Sequence, residues 1–404
     1  MSFELSYLQE TLPFTKPGST LLIKDGVYDD IVVTIDVSGT FKERIIIKAE
    51  NEEGVKIRGN SKITIKGDFI TIQGFSIDSS MNTSESIDIS GNNVRITNVT
   101  FKGTTEQGNT ALIINNANSR VDHCTFSNLN FGIRLGENPT FAIVDHNVFN
   151  NMGICFLSDL QKTPNALFSY NKITNCPGDC IYDTSSGNIY YKNNISLTKG
   201  TAISVKNSSC TIIHKNRLCD NNIGVFISGS SNFVTNNFIS NKYSNASIYY
   251  KNKSIAFALG TDCLNVTASG NIMLNCSEDF AVGIGMNMQS NSSAVITNNI
   301  SFGHNDQHFF SATSNIFGID DVSYSSNICY LKMIGNDSTT FVNKCEPGIQ
   351  TYTDLVKFEE GTGQDDDTYK QNWFLGLDEN DIMKTNEEHF QIVYDHLIRE
   401  FKNQ

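Results

Sequence analysis

Lys206, Asp159 and Asp183 have the residue types and the spacing of a group that moves protons. Lys206 and Asp159 each stand four residues after a small residue in a short β-prone run, and Asp183 stands three residues after another. If these runs stack at about 4.8 Å per coil, Asp159 and Lys206 lie roughly 10 Å apart, with Asp183 between them. A sugar unit would bridge that gap. We therefore predict that the three residues form one functional cluster, in which Asp159 and Asp183 would serve as acids or cation ligands.

Arg134 and Tyr182 fall in the neighbouring column of the same alignment. That alignment superposes the small residues Gly132, Cys155, Cys180, Ala202 and Gly224. An arginine fork binds carboxylates, and a tyrosine ring offers an apolar face with a polar edge, so we predict both as substrate contacts. The alternative is a solvated polar edge with scattered charges. An alignment error of one residue would separate the cluster, because it moves a side chain to the other face of a strand.

Two histidines and two pairs of carboxylates provide further candidates. His304 and His308 lie in the segment His-Asn-Asp-Gln-His, and we predict them as substrate contacts or as an acid and a base. Their spacing and that of Cys176-x3-Cys180 resemble metal ligands, but three intervening residues give a common face only on a helix, so the metal ligands stay unknown. Glu278-Asp279 and Asp320-Asp321 are pairs of the kind used by hydrolases and Ca²⁺ sites, although such pairs are common on acidic chains.

Ten cysteines are present, and their simplest interpretation is buried thiols in a reducing compartment. Cys155 and Cys180 occupy the same point of adjacent repeats. Their predicted separation is about one strand spacing, roughly 4.8 Å, which is close enough for a disulfide in an oxidising compartment.

A short repeat must position all of these residues. Small groups of β-prone residues are followed by an Asn or His every 21 to 25 residues, at Asn98, His123 and His146, and then at Asn147, Asn171, Asn193, Asn216 and Asn237. A period of this length without helical periodicity indicates an all-β solenoid, one coil of a parallel β-helix per repeat. Stacked Asn side chains form hydrogen-bonded ladders, so we interpret the markers, and His123, His146 and Tyr170 beside them, as structural corner residues.

The repeat also predicts the organisation of the chain. Residues 1–15 form an amino-terminal cap with Phe3, Leu5 and Leu8 over the open end, 16–345 form the β-helix, and 346–404 form a capping segment with a helix from Glu387 to Phe401. After Asn237 the markers continue, with longer steps, at Asn271, Asn298 and Asn327. We predict that the inserted residues form one wall of a groove.

Composition excludes several classes of function. The net charge of −13 and the absence of a basic stripe disfavour nucleic acid as a partner. No run of apolar residues is long enough to span a membrane, and the start Met-Ser-Phe-Glu-Leu-Ser lacks the features of a secretory signal. We expect a soluble chain whose location stays open, with the outside of a cell or a virus particle among the alternatives.

Both ends of the chain resemble known proteins. Lys16-Pro-Gly with Lys24-Asp-Gly-Val-Tyr28, followed by residues 63–75, resembles the opening coils of right-handed β-helix polysaccharide lyases of the chondroitinase B and alginate lyase kind. Residues 352–365 resemble a closing segment of secreted β-helix proteins that act on carbohydrates. The resemblance implies the right-handed β-helix of the pectin-lyase-like superfamily and a polysaccharide or glycan as partner.

The coil from Ile203 to Asn216 is similar to the lyase coil that carries the catalytic lysine, which implies that role for Lys206. In these lyases the base removes the proton next to a uronate carboxylate, an arginine of the next coil assists, and Ca²⁺ on acidic ligands neutralises the carboxylate. The arginine position holds Ile227 here, and positions of the acidic ligands hold Lys199 and Thr201. Ca²⁺ is the one cofactor that the resemblance implies.

Two functions follow with equal weight. The first is a carbohydrate-active enzyme with lyase or epimerase chemistry on a uronate-containing glycan. The second is a non-catalytic structural or glycan-binding β-helix on a virion or cell surface, with a homotrimer among the assemblies that this function would use. A glycoside hydrolase that uses the carboxylate pairs is a further alternative.

Overall fold

A computed structural model describes residues 2–282 with short gaps at 83, 106–107, 160–161, 241–254, 261–262, 275 and 277. Beyond 282 it describes Asn299 and the strands given below. The predicted terminal helix from Glu387 to Phe401 lies outside these residues. So do Asn298, Asn327 and most of the residues inserted after Asn237. The predicted domain limits therefore stay a prediction.

The described strands form three long sheets, and each coil of the chain adds one strand to each sheet in turn. Sheet 1 comprises Thr20–Ile23, Ile45–Ala49, Ile70–Gln73, Arg95–Thr97, Arg120–Asp122, Ile143–Asp145, Leu167–Ser169, Ile189–Tyr191, Ile212–His214, Phe233–Thr235, Val266–Ser269, Ala294–Thr297 and Val322–Ser325. Sheet 2 comprises Gly26–Asp29, Val55–Arg58, Phe75–Asp78, Thr100–Lys102, Thr125–Ser127, Val148–Asn150, Lys172–Thr174, Asn194–Ser196, Arg217–Cys219, Phe238–Ser240, Ile272–Leu274, Ile300–Phe302, Ile328–Tyr330 and Tyr369–Gln371. Sheet 3 comprises Val32–Ile35, Lys62–Ile65, Glu85–Ile89, Thr110–Ile114, Phe131–Leu135, Ile154–Ser158, Ile181–Asp183, Thr201–Ser209, Ile223–Ser230, Ile255–Leu259, Glu278–Val282, His308–Ala312, Phe341–Asn343 and Gln350–Tyr352.

Neighbouring strands of each sheet are parallel, except that Phe341–Asn343 pairs antiparallel with Gln350–Tyr352. The predicted parallel β-helix is thus confirmed. Because strand residues alternate between the two faces, one side chain in two enters a single core that runs along the axis. The rings of Phe101, Phe126 and Phe149 stack there at centroid distances of 4.9 and 4.6 Å. Such a contact contributes about 1 kcal/mol beyond burial.

A short helical segment closes the amino-terminal end of the core. It runs through Leu5–Tyr7, Leu8–Thr11 and Leu12–Phe14, and the side chains of Leu5, Leu8 and Leu12 are buried in the core. The preceding residue Phe3 forms a bridge to Ile23 of the first strand of sheet 1. This segment covers strand edges that would otherwise be exposed at the first coil.

An asparagine ladder joins sheet 1 to sheet 2 in the described coils between residues 147 and 299. Asn147, Asn171, Asn193, Asn216, Asn237, Asn271 and Asn299 are all buried. The backbone N–H of each residue from Asn147 to Asn271 donates to the side-chain oxygen of the next one, at 2.9 to 3.0 Å. The predicted ladder is confirmed, with one correction: the residue after Asn271 is Asn299, not Asn298. The sequence pattern cannot distinguish the adjacent residues Asn298 and Asn299. Only the direction of the backbone at the turn determines which side chain enters the ladder.

The residue before each ladder position, and the equivalent residue in the coils before the ladder begins, makes the corner. Asn98, His123, His146 and Tyr170 have φ between 51° and 57°, a region that Asn and His tolerate better than most residues. The rings of His123, His146 and Tyr170 stack on one another, at 5.3 and 4.9 Å between centroids. His123 donates to buried Asp122, 2.8 Å away. The interpretation of these residues as corner residues is confirmed.

Candidate functional site

The outward face of sheet 3 carries the predicted site. Arg134, Leu157, Tyr182, Ser204, Phe226 and Ala258 are paired in register along one outward column. Arg134 and Tyr182 therefore share a column as predicted, with Leu157 between them. The same register places the small residues used for the alignment at equivalent positions. Gly132 and Cys155 directly precede the paired residues Ile133 and Phe156. Cys180 and Ala202 directly precede the paired residues Ile181 and Ile203.

Lys206 is held between two aromatic rings on this face. Its Nζ lies 4.8 Å from the centre of the Tyr182 ring and 5.6 Å from that of Phe226. A cation over a ring face gains about 0.5–1 kcal/mol at a partly exposed site. Sheet pairing is irregular between Val205 and Ser208, and Asn207 has φ 53°. This bulge tilts Lys206 away from the regular strand, as bulges near binding sites often do.

Arg134 and Asp159 form an ion pair at the other end of the face. Arg134 Nη2 donates to Asp159 Oδ2 at 2.8 Å, and both side chains are about one-third to one-half exposed. Asp159 directly follows the strand Ile154–Ser158, and Lys206 lies in the strand two coils later. Exposed pairs of this kind contribute about 0–1 kcal/mol to stability, so both charged groups are open to a competing ligand.

Asp183 is not part of this face, which corrects the prediction. It pairs with Ser158 and Val205 in the inward column, and its side chain is completely buried. Its carboxylate accepts hydrogen bonds from Tyr190 Oη at 2.7 Å, Asn188 Nδ2 at 3.0 Å and the backbone N–H of Ser185 at 2.8 Å. Burial raises the pKa of Asp183 to about 6, although these hydrogen bonds act in the opposite direction. The Asp183 carboxylate therefore accepts hydrogen bonds inside the β-helix and cannot contact a ligand on the outward face.

Several predicted residues lie outside the described part of the chain. These are His304, the side chain of His308 at the start of its strand, Asp320 and Asp321, and the side chains of Glu278 and Asp279. Their proposed roles stay predictions.

Two residues of the face were missed from sequence. Phe226 completes the aromatic clamp around Lys206, and Ser204 stands between Tyr182 and Phe226 with a buried hydroxyl that has no hydrogen-bond partner among the described residues. Extending the Arg134 and Tyr182 column by two coils would have found both. Phe226 also contacts a small apolar cluster on this side, formed by Ile223, Ile255 and Ala258.

Six of the eight described cysteines are buried: Cys124, Cys155, Cys176, Cys180, Cys263 and Cys276. All eight are free thiols. Cys155 and Cys180 lie on adjacent coils, as expected, since the backbone N–H of Cys155 donates to the oxygen of Cys180. The sulfur atom 3.5 Å from Cys155 Sγ belongs, however, to Cys176.

Within the described residues, no helix has the length and apolar character that a membrane span requires.

A family model described as a right-handed β-helix region matches residues 110–260. No curated protein matches the chain. Among solved structures, a PL6 family alginate lyase superposes with a TM-score of 0.69 at 14% identity over 90% of this chain, and the chain spans only 56% of that enzyme's length. A mannuronic acid specific family 6 lyase from human gut microbiota superposes with a TM-score of 0.64 at 15% identity, covering 87% of this chain and 92% of that one.

A tailspike protein of E. coli bacteriophage HK620, solved as a double mutant with a pentasaccharide, superposes with a TM-score of 0.57 at 13% identity. The match covers 90% of this chain and 76% of the tailspike. At these identities the likeness concerns the fold. The chain is a right-handed parallel β-helix, and it resembles the family 6 polysaccharide lyases in architecture.

Proposed function

We propose that the outward face of sheet 3 binds a uronate-containing polysaccharide and that Lys206 is the base that cleaves it by β-elimination. One observation carries this proposal: Lys206 is fixed between Tyr182 and Phe226, on the same outward face as the Arg134 fork. The coils advance by about 4.8 Å, so the face repeats on roughly the scale of a sugar unit. Alginate lyases and a tailspike bound to a saccharide share this fold, which supports a glycan as the ligand.

The chemistry requires a base, a group that binds the uronate carboxylate, and a proton for the leaving oxygen. The proton next to the carboxylate is transferred to Lys206 Nζ. The electron pair of that C–H bond forms the new C=C bond while the C–O bond to the neighbouring sugar breaks, and the departing oxygen takes up a proton from water. Arg134 binds a carboxylate of a neighbouring uronate through its fork. Tyr182 and Phe226 position the sugar ring.

The described residues do not fit Ca²⁺ at this face. Of the carboxylates expected as its ligands, Asp183 is buried in the interior and Asp159 is bonded to Arg134. Lys199 and Thr201 occupy positions at which the lyase resemblance implies acidic ligands. We derive no step through a metal ion.

The proposal is tested by incubating the chain with alginate, chondroitin, pectate and neutral glycans. Turnover is measured as the ultraviolet absorbance of the unsaturated uronate. We expect activity on one acidic glycan, and Lys206→Met lowers kcat at least about 100-fold because the base is lost. Lys192→Met is the matched control, since Lys192 also lies over two rings, Tyr170 and Tyr191, but on the far corner of the coil. Equal activity of Lys206→Met and the unsubstituted chain would refute the role of Lys206.

A second function is favoured by Ile227. The resemblance places the assisting arginine at this position, yet Ile227 is fully buried in the core. A glycan-binding β-helix without turnover, carried as a homotrimer on a virus particle or another extracellular surface, accounts for this difference. Glycan-array binding without release of an unsaturated product, together with a trimeric mass in sedimentation, would favour it over the lyase.

A further inference from the structure

Three buried cysteines meet between adjacent coils on the side where sheet 2 turns into sheet 3. Cys155 and Cys180 lie at the start of sheet 3 on neighbouring coils. Cys176 lies in the turn between the sheet 2 strand Lys172–Thr174 and the sheet 3 strand Ile181–Asp183. The three sulfur atoms lie within 4.8 Å of one another, and Cys155 Sγ is 3.5 Å from Cys176 Sγ. Among the residues that the structure describes, no other three His, Cys, Asp or Glu side chains bring their ligand atoms together in this way.

These distances match the requirements of a soft metal ion. Zinc–sulfur bonds of about 2.3 Å at tetrahedral angles place sulfur atoms about 3.8 Å apart. The cysteines therefore need shifts of only a few tenths of an ångström to roughly one ångström to become three ligands. The hydroxyl of Thr198 lies 2.8 Å from Cys180 Sγ, where it can donate to a thiolate.

A cavity of about 640 Å³ opens in front of the cluster. Cys176 and Thr198 line it, together with Lys199, Asp220 and Asn222. This cavity gives an ion a path to Cys176 and leaves space for a fourth ligand from solvent. A catalytic or exchangeable zinc has this arrangement of three protein ligands and one open position.

Asn222 supplies an independent indication that something polar binds there. Its side chain is only 3% exposed, it lines the cavity, and its Oδ1 has no hydrogen-bond partner among the described residues. A buried acceptor without a donor is unfavourable, because it has lost its hydrogen bonds to water. A metal-bound water would donate to it. Lys199 would balance the net negative charge of three thiolates around a divalent ion.

We propose that Cys155, Cys176 and Cys180 form a binding site for a soft divalent cation of the Zn²⁺ class, with the fourth position directed into the cavity beside Asn222. This site lies on a different side of the coil from the outward face of sheet 3, and it does not depend on the proposed glycan chemistry. Metal binding would link the coils that carry Cys155 and Cys180 to the turn that carries Cys176. Without the metal, no covalent bond joins these three cysteines.

The test loads the reduced full chain with Zn²⁺, removes unbound metal by gel filtration, and measures zinc by atomic emission. We expect about one zinc per chain, and X-ray absorption should show about three sulfur ligands near 2.3 Å. Co²⁺ in place of Zn²⁺ should give thiolate-to-metal charge-transfer bands. Asn222→Leu should weaken binding by about 10-fold, because the hydrogen bond from the metal-bound water to Asn222 Oδ1 is lost.

Cys176→Ser should lose the metal, whereas Cys124→Ser is the matched control. Cys124 is equally buried but stands alone, with its sulfur 3.3 Å from the oxygen of Asp122. Circular dichroism verifies that each variant folds, and the X-ray absorption result on the unsubstituted chain decides the matter if one does not. Failure to retain zinc, a shell of oxygen and nitrogen only, or equal loss in Cys124→Ser would overturn the proposal.

Discussion

The corner between sheets 1 and 2 and the outward face of sheet 3 are built on opposite plans. At the corner the same residue type returns in every coil from Asn147 to Asn299, always buried and always bonded to its neighbours. On the face of sheet 3, the residue changes at each step from Arg134 through Leu157, Tyr182 and Ser204 to Phe226. Identical residues along the axis provide hydrogen-bond partners for backbone groups. Different residues along the axis provide a surface that a specific ligand can recognise.

This contrast separates stability from function by location. Ladder residues contribute to the free energy of unfolding because each pairs a backbone group that would otherwise be buried without a partner. Arg134, Tyr182 and Phe226 on the face of sheet 3 are partly exposed, so the loss of their side chains leaves few buried groups without a partner. We expect substitutions in the two regions to change different measurements.

The largest effect on stability is expected at Asn193. Its backbone N–H donates to Asn216 Oδ1, its amide group donates to Phe168 O, and its own oxygen accepts from Asn171. Asn193→Ala keeps the bond from its backbone N–H but leaves the Phe168 oxygen and the Asn171 backbone N–H without these partners in the interior, and we expect a loss of about 4 kcal/mol in the free energy of unfolding. Urea denaturation measures it.

Asn150→Ala is the control for the ladder. Asn150 is exposed at the end of a strand of sheet 2, where it accepts hydrogen bonds from Thr174 and Asn175. We expect a change within about 1 kcal/mol. Equal losses in Asn193→Ala and Asn150→Ala would show that the buried ladder adds nothing special.

The second effect concerns Asp183, which lies on the inner side of the strand whose outer side carries Tyr182. Because the folded pKa of about 6 exceeds the ordinary 3.8, the folded chain binds the proton more tightly, and stability falls as the pH rises between these values. From about pH 5 to about pH 7.5 this group lowers the free energy of unfolding by about 1–2 kcal/mol. Asp183→Asn should remove that fall.

His214 acts in the opposite direction. Burial lowers the pKa of His214 to about 4, so its contribution to stability is lost as the pH falls from about 6.5 toward 4. The test for Asp183 is therefore the difference between the pH profiles of Asp183→Asn and the unsubstituted chain, in which the His214 contribution cancels. Parallel profiles would show that Asp183 titrates normally.

The sequence reveals the period but not every side-chain direction. Small residues such as Gly132, Cys155 and Ala202 align the coils of sheet 3 correctly. They recur because a larger side chain at this position would contact the adjacent coil. At Gly132 even a Cβ atom would lie 2.6 Å from the backbone oxygen of Cys155. Asp183 was assigned to the wrong face because a shift of one residue reverses the direction of a side chain. The meeting of Cys176 with Cys155 depends on the path of a turn, and no periodicity specifies that path.

The smallest effect on stability is expected at Tyr182, and it distinguishes the two regions most directly. Tyr182→Ala removes one ring of the clamp around Lys206 and leaves the core intact, so the free energy of unfolding should change by about 1 kcal/mol or less. Binding of an acidic glycan should weaken by about 5-fold, because a stacking contact of about 1 kcal/mol is lost. Isothermal titration with the glycan that the activity screen selects measures the affinity. His146→Ala provides the comparison, since His146 is also an exposed stacked ring but stands on the ladder corner. If His146→Ala weakens binding as much as Tyr182→Ala does, the glycan lies along the corner, and the face of sheet 3 is not the binding surface.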